Sequence, residues 1–288
     1  MSVIAAYAKI NLGLRILGKR SDGYHEIDTV FQTISLADQL SIELTPQDLR
    51  LEMIPAGGVF EQQNLAYRAA QMLFAHCGYQ GGARIRIRKE IPLAAGLGGA
   101  SSDAAATLIA LNRLLNLKLD HHQLHQLALG LGSDVPFFLL GGLCHGQGRG
   151  ERLEQLPPAL LDRSIVLFKP RKPLTTAAVY REFDRMRSEG SVAPRHPDHS
   201  DLDPPFDCTN DLSAAAVQLC PEIRKYQGFL AEHVVDLGGL SGSGPTLYAS
   251  FAERAAAESF ARAATAQLGA WVSIVQPTAV AQRWIEES

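Results

Sequence analysis

Apolar and polar positions alternate along the first segment of the chain. Across Tyr7–Ile16, Ala8, Ile10, Leu12, Leu14 and Ile16 fall on one face of a strand. Tyr7, Lys9, Asn11, Gly13 and Arg15 fall on the other. Lys9 and Asn11 therefore project together from one rigid element. Leu40, Ile42 and Leu44 alternate next, then Leu49, Leu51 and Met53, which predicts a further pair of strands. Asn64 stands where it can cap a helix running toward Cys77, with Leu65, Ala69, Met72 and Leu73 inward. Arg84-Ile85-Arg86-Ile87-Arg88 reads as a strand with its arginines outward.

A glycine-rich stretch, Pro92 to Asp103, then opens a helix whose apolar stripe is Leu108, Leu111 and Leu115. Asp120 caps another, carrying Leu124, Leu127 and Leu131 and stopped by Gly130 and Gly132. Ser133-Asp134-Val135-Pro136 starts a third, because proline is tolerated in a first turn. Gly141 to Gly150 is dense in glycine and reads as a loop, and Pro157-Pro158 as a domain boundary. Beyond it come a strand at 164–168, a helix at 176–187 and a polar, proline-bearing stretch at 188–207 that reads as a mobile loop. Asn210 caps a helical stretch that Pro221 divides. A short strand at 234–237, a tight loop at 238–245, a strand at 246–251, an alanine-rich helix at 253–268 and a strand at 271–275 follow. That order predicts an α+β sandwich of the split βαβ kind.

Composition narrows the class. With 288 residues, 46% of them apolar and 20% charged, the chain is an ordinary globular sequence with room for two domains at ~150 residues each. Net charge −3 gives no global drive toward nucleic acid or an anionic membrane. Cys77, Cys144, Cys208 and Cys220 form no C-x-x-C pair, which argues against a disulfide scaffold and a zinc knuckle. No stretch has the ~20 apolar residues of a membrane span. The expectation is a cytoplasmic protein in a reducing compartment.

The strongest chemical signal is the glycine loop. A phosphate needs backbone N–H groups that approach without β-carbons in the way, and it is favoured at a helix N-terminus. Gly96, Gly98 and Gly99, followed by Ser101 and Ser102 at a helix start, offer both. A side chain at Gly98 is expected to obstruct the phosphates. The loop is not a Walker A motif, since no Lys-Ser/Thr pair closes it, and it lacks the last glycine of a dinucleotide fingerprint. Other residues stay open between two readings. Lys9 either faces water or serves a site with Asn11. Asp134 is either an N-cap or a functional carboxylate. Tyr24 and His25 follow a Ser-Asp-Gly turn and could hold a planar base, or be plain surface residues. His121, His122 and His125 fit a solvated helix face better than a metal site. Arg84, Arg86 and Arg88 fit an exposed sheet face better than a nucleic-acid stripe.

Taken together, Ala8–Leu12 with Arg20–His25, Pro92–Asp103, Leu131–Phe137 and Leu240–Thr246 resemble the GHMP kinase superfamily. Within it they are most similar to the kinases acting on 4-diphosphocytidyl-2-C-methyl-D-erythritol. The resemblance implies a two-domain α+β fold: an ATP-binding, ribosomal-protein-S5-like domain over 1–157 and a ferredoxin-like substrate domain over 158–288. It implies transfer of a phosphoryl group from ATP, with Mg²⁺, to the 2-hydroxyl of the methylerythritol part. Pro92, Leu93, Ala94, Ala95, Gly96, Leu97, Gly98, Gly99, Ala100, Ser101 and Ser102 would hold the triphosphate, and Ser102 is the candidate Mg²⁺ ligand. Ala94, Ala95 and Ala100 replace glycines common in the family, which alanine permits where φ is negative. Asp134 would take the hydroxyl proton, with Lys9 steadying negative charge. Tyr24, His25 and Tyr180 would hold the cytosine, and Asn11 the sugar alcohol.

Overall fold

The computed structural model describes residues 2–56, 60–191 and 207–285. The expected loop at 188–207 falls largely outside them. Two sheets organise the chain. The larger is built on β1 (Ser2–Lys19) and β2 (His25–Thr45), which pair antiparallel along nearly their whole length. On its other side β2 pairs with β4 (Gly82–Arg88) through its second half and with β5 (Leu143–Gly148) through its first. β3 (Arg50–Ile54) lies parallel to β4, and β6 (Arg152–Gln155) antiparallel to β5. The two strands expected near residues 40–53 are both present, and each pairs with β4 rather than with the other.

Helices α1 (Leu65–Cys77), α2 (Gly99–Leu114), α3 (His121–Leu131) and the four-residue α4 (Phe137–Leu140) share one core with this sheet. Their ends follow local chemistry. Asn64 accepts from Ala66 N at the start of α1. Asp120 and Gln123 form a reciprocal capping box on α3, which runs through Gly130 and stops at Gly132. The helix expected from Ser133 begins only at Phe137, because the preceding residues form a turn.

The second sheet has the order β10-β7-β9-β8, from β7 (Ser164–Lys169), β8 (Leu237–Leu240), β9 (Leu247–Phe251) and β10 (Trp271–Val275). Helices α5 (Thr176–Ser188), α6 (Ser213–Leu219) and α7 (Ile223–Ala231) lie between β7 and β8 in sequence, and α8 (Arg254–Leu268) between β9 and β10. This is the anticipated split βαβ arrangement. Its short strand is displaced from 234–237, since Val234 is almost fully exposed and Gly238-Gly239 pair with β9. Sheet membership changes between β6 and β7, around Pro157-Pro158, but the expected 158–288 unit does not close on itself. The last strand, β11 (Gln282–Ile285), returns to pair with β1 in the first sheet.

β1 ties the two halves together. Ile4 and Ala6 belong to the core under α1 and α2, Leu14 and Ile16 to that of the second sheet's helices, and Ala8, Ile10 and Leu12 to the layer between. On the opposite face Lys9, Asn11 and Arg15 are buried as well, so Lys9 is not a solvated lysine. Register shifts at Tyr7/Ala8 and Asn11/Gly13 bracket the segment carrying Lys9 and Asn11. Such irregularities re-aim side chains.

Candidate active site

A cleft of about 720 Å³ runs between the sheets. One wall is the turn from Pro92 to Gly98 and the start of α2. Gly96 and Gly98 have φ of +77° and +72°, where L side chains are strained. A β-carbon on Gly96 would stand 2.4 Å from the Ser241 carbonyl oxygen, so the glycine lets this loop lie against residues 241–244. Ser241 Oγ donates to Gly96 O (3.0 Å) and Thr246 N to Ala95 O (3.4 Å). The first N–H groups of α2 lack intrahelical acceptors and offer an anion site at this wall.

Lys9 sits against the same loop. Its backbone N–H donates to Leu97 O (3.0 Å), and a β-carbon on Gly98 would stand 3.0 Å from Lys9 Cγ. Its ammonium donates to Asn11 Oδ1 (2.5 Å), lies 3.4 Å from Asp134 Oδ2 and sits 5.4 Å from the centre of the Phe31 ring. Asp134 reaches this point from the turn that joins α3 to α4. Phe137 stacks on Phe31 (4.8 Å), and Phe138 packs at Gly98, so two buried rings pin the turn. No side-chain cap bond is made at α4, so Asp134 is not its N-cap.

At the other end are Tyr24, His25 and Tyr180. Tyr24 is half exposed, and the Arg149 guanidinium lies 4.5 Å from its ring centre. His25 packs on Tyr180 (4.9 Å) and its Nε2 meets Asp184 Oδ1 (2.7 Å), which also accepts from Lys19 through its second oxygen (2.6 Å). Burial, and after it the charge of Asp134, pushes the Tyr180 phenol well above its ordinary range, so Asp134 and Tyr180 are electrostatic neighbours. Lys9 and Asp134 therefore stand between the glycine loop and the aromatic end.

All the sequence-predicted residues line this cleft but one. Ser102 is fully buried and its Oγ donates to Tyr7 O (2.7 Å) at the Tyr7/Ala8 register shift, so it faces β1 and not the cleft. Ala94 has φ of +49°, contrary to the negative φ expected of an alanine there. Asn11 has its amide oxygen taken by Lys9, and Nδ2 donates to Thr29 Oγ1 (2.8 Å), so it braces the lysine more than it presents itself to a sugar.

Sequence reasoning missed Lys89. Its ammonium is held by two buried carboxylates, Asp38 and Asp103 (2.8 Å to the latter), beside Gly99. Burial, opposed by Lys89 and reinforced by Asp38, pushes the Asp103 carboxyl up to about 7. Its place just before the Pro92 loop was the available signal. Arg149, between two glycines, carries no local signal. The arginines of β4 are spoken for: Arg84 faces Glu43 (3.9 Å), Arg86 Glu52 (2.9 Å) and Arg88 Glu90 (3.3 Å).

The pattern described as GHMP kinases N terminal domain matches residues 64–142, and that described as GHMP kinases C terminal matches 199–270. The 4-diphosphocytidyl-2-C-methyl-D-erythritol kinase of Moorella thermoacetica is 42% identical over 85% of this chain and 88% of its own. The chain belongs to this family of GHMP kinases. The like-named protein of Shewanella oneidensis is 37% identical over 86% and 84% of the two chains. A crystal structure of 4-(cytidine 5'-diphospho)-2C-methyl-D-erythritol kinase superposes with a TM-score of 0.75 at 37% identity, covering 95% of this chain and 99% of that one. A mevalonate kinase structure, 12% identical, shares the fold at a TM-score of 0.67. The family makes the chain a small-molecule kinase with ATP as phosphate donor, in the α+β GHMP fold. Among the described residues no helix is long and apolar enough to cross a membrane.

Proposed function

We propose that this kinase phosphorylates the 2-hydroxyl of the methylerythritol part of 4-diphosphocytidyl-2-C-methyl-D-erythritol, a step of non-mevalonate isoprenoid precursor biosynthesis. The observation that carries the reading is the Lys9–Asp134 pair, 3.4 Å apart, set between a phosphate-type loop and an aromatic end. Phosphoryl transfer is chiefly positioning and charge stabilisation. The glycine loop and the start of α2 hold the triphosphate. The substrate hydroxyl attacks the γ-phosphorus, its proton passes to Asp134, and the bond to the β,γ-bridging oxygen breaks to release ADP. Lys9, aimed by Asn11, stabilises the charge developing on the transferred oxygens. Tyr24 and Tyr180 offer π-faces to the cytosine, with His25 beside them.

The expected Mg²⁺ ligand does not reach the cleft. Ser102 is committed to Tyr7, and no cluster of three His, Cys, Asp or Glu is present among the described residues. A magnesium ion arriving with ATP would be held mainly by phosphate oxygens and water, with no more than one or two carboxylates from the protein, and would neutralise charge on the phosphates. The pairing of the β4 arginines with glutamates supports a small-molecule partner over nucleic acid.

The test is to incubate the protein with Mg-ATP and, separately, the cytidyl substrate, homoserine and mevalonate. Phosphorylation of the cytidyl compound alone is the expected result. Preference for either other alcohol would overturn the assignment.

A further inference from the structure

The cleft holds five cations, and three of them are committed. Lys9 faces Asp134 and Asn11, Lys19 is bound to Asp184 (2.6 Å), and Lys89 lies between Asp38 and Asp103. Arg149 and Arg181 line the same cleft, and among the described residues neither guanidinium has a carboxylate within 4.0 Å. Arg149 differs from Arg181 in being fixed. It sits in a tight turn between Gly148 (φ +74°) and Gly150 (φ +107°), and its backbone N–H donates to the Glu151 carboxylate. Its guanidinium lies on Tyr24, 4.5 Å from the ring centre. The carboxylate whose charge it feels, Asp22, is already bound to Arg20 (3.2 Å).

A guanidinium on a tyrosine face keeps its N–H edge free, because stacking uses the plane and hydrogen bonding uses the rim. A fork of donors without a carboxylate, beside a base-stacking ring, has the geometry that binds phosphate oxygens. The substrate proposed above carries a diphosphate attached to its cytidine, so its anionic group must lie next to whatever holds the base. We infer that Arg149 is a substrate-binding residue: it takes a phosphoryl oxygen of the cytidyl diphosphate while backing Tyr24 on the face opposite the base. This inference rests on the proposed substrate. It makes Arg149 a determinant of specificity, since mevalonate and homoserine carry no such diphosphate.

Cytidine, CMP and CDP serve as probes, measured as competitive inhibitors against the cytidyl substrate in the wild type, Arg149→Ala and Arg149→Lys. A charge-assisted hydrogen bond of ordinary strength predicts CDP binding weakened about 10- to 100-fold in Arg149→Ala. Cytidine should change by less than about threefold, because it has no phosphate to lose. Arg149→Lys should fall between, keeping the charge without the fork. The KM for ATP is the internal control. Equal weakening of cytidine and CDP would mean that Arg149 only props Tyr24, and the diphosphate role would be abandoned. Unchanged CDP inhibition in both variants would overturn it as well. A wild-type protein that does not phosphorylate the cytidyl substrate would instead remove the function on which the inference rests, so the two failures are distinct.

Discussion

Gly98→Ala is a single methyl group added where the glycine loop meets Lys9, the proposed catalytic lysine. Two costs can be worked from the structure. Gly98 has φ of +72°, and holding an L-residue there costs ~1–2 kcal/mol. The new β-carbon would also stand 2.7 Å from Phe138 Cζ and 3.0 Å from Lys9 Cγ. Carbon pairs prefer ~3.5–4.0 Å, so ring or loop must give by about 1 Å, and overpacking of this kind costs ~1–3 kcal/mol. Together the substitution should destabilise the protein by ~2–5 kcal/mol, read as a lower urea midpoint at unchanged slope. Because Lys9 is one of the two groups displaced, turnover should fall on the order of 10- to 100-fold, as misplacement near 1 Å can cost ~10²-fold. Ala94→Gly is the control. Ala94 has φ of +49° but is exposed, so removing its methyl group should shift stability by less than ~1 kcal/mol. If Gly98→Ala kept its stability and turnover while only the KM for ATP rose, the methyl group would be meeting the nucleotide and not the protein. The packing argument would then be wrong.

Two further predictions concern charged pairs, Lys9 with Asp134 in the cleft and Lys89 with Asp103 beneath it. Asp134→Asn and Lys9→Ala should each reduce turnover, by ~10²–10⁴-fold for Asp134, the proposed base. The double variant should lose little more than the worse single one, and fully multiplicative losses in steady-state rates would show that the two act independently. Burial raises the Asp103 carboxyl in the folded protein from its ordinary value of 3.8 up to about 7, so folding favours its protonated form between these pH values. Its stabilising share is complete below the lower value and lost as pH rises toward the upper. Asp103→Asn mimics the protonated form, so its thermal midpoint minus that of the wild type should increase from pH 4 to about 7 and then level off. A difference that does not change with pH would show that Asp103 titrates normally.

The elements legible in the sequence were those whose cause is local. Asn64 and Asp120 cap their helices by bonds to residues two or three positions on, and β10 follows its own apolar run. The glycine loop announced itself because its glycines serve the backbone conformation. What stayed hidden was decided by distant partners. β5 read as a loop because of its glycines, yet a β-carbon on Gly146 would strike the Phe31 ring at 2.6 Å, so that glycine exists to make room across the sheet. In β8, Gly239 is small for a similar reason, with the Cys208 carbonyl 2.8 Å from where its β-carbon would be. Lys9 stayed open between two readings because, Asn11 apart, its partners Asp134 and Leu97 are far away in sequence. Ser102 looked like a ligand because nothing nearby in sequence reveals that the Tyr7 carbonyl claims it.

The pairing of β11 with β1 has a consequence for how the enzyme is made. Val3 lies opposite Ile285, so the sheet that carries Lys9 is closed by residues far along the chain. While the ribosome is still adding the second half, β1 presents one unpaired edge, with N–H and C=O groups ready to recruit any strand that passes. Tyr7 N, which donates to Ala281 O in the finished protein, is among the groups left waiting. The first half of the chain precedes β11 by more than a hundred residues, so its sheet is completed only once β11 has been made. A variant that lacks β11 should therefore expose an aggregation-prone edge on β1 while the cleft between the sheets keeps its lining residues.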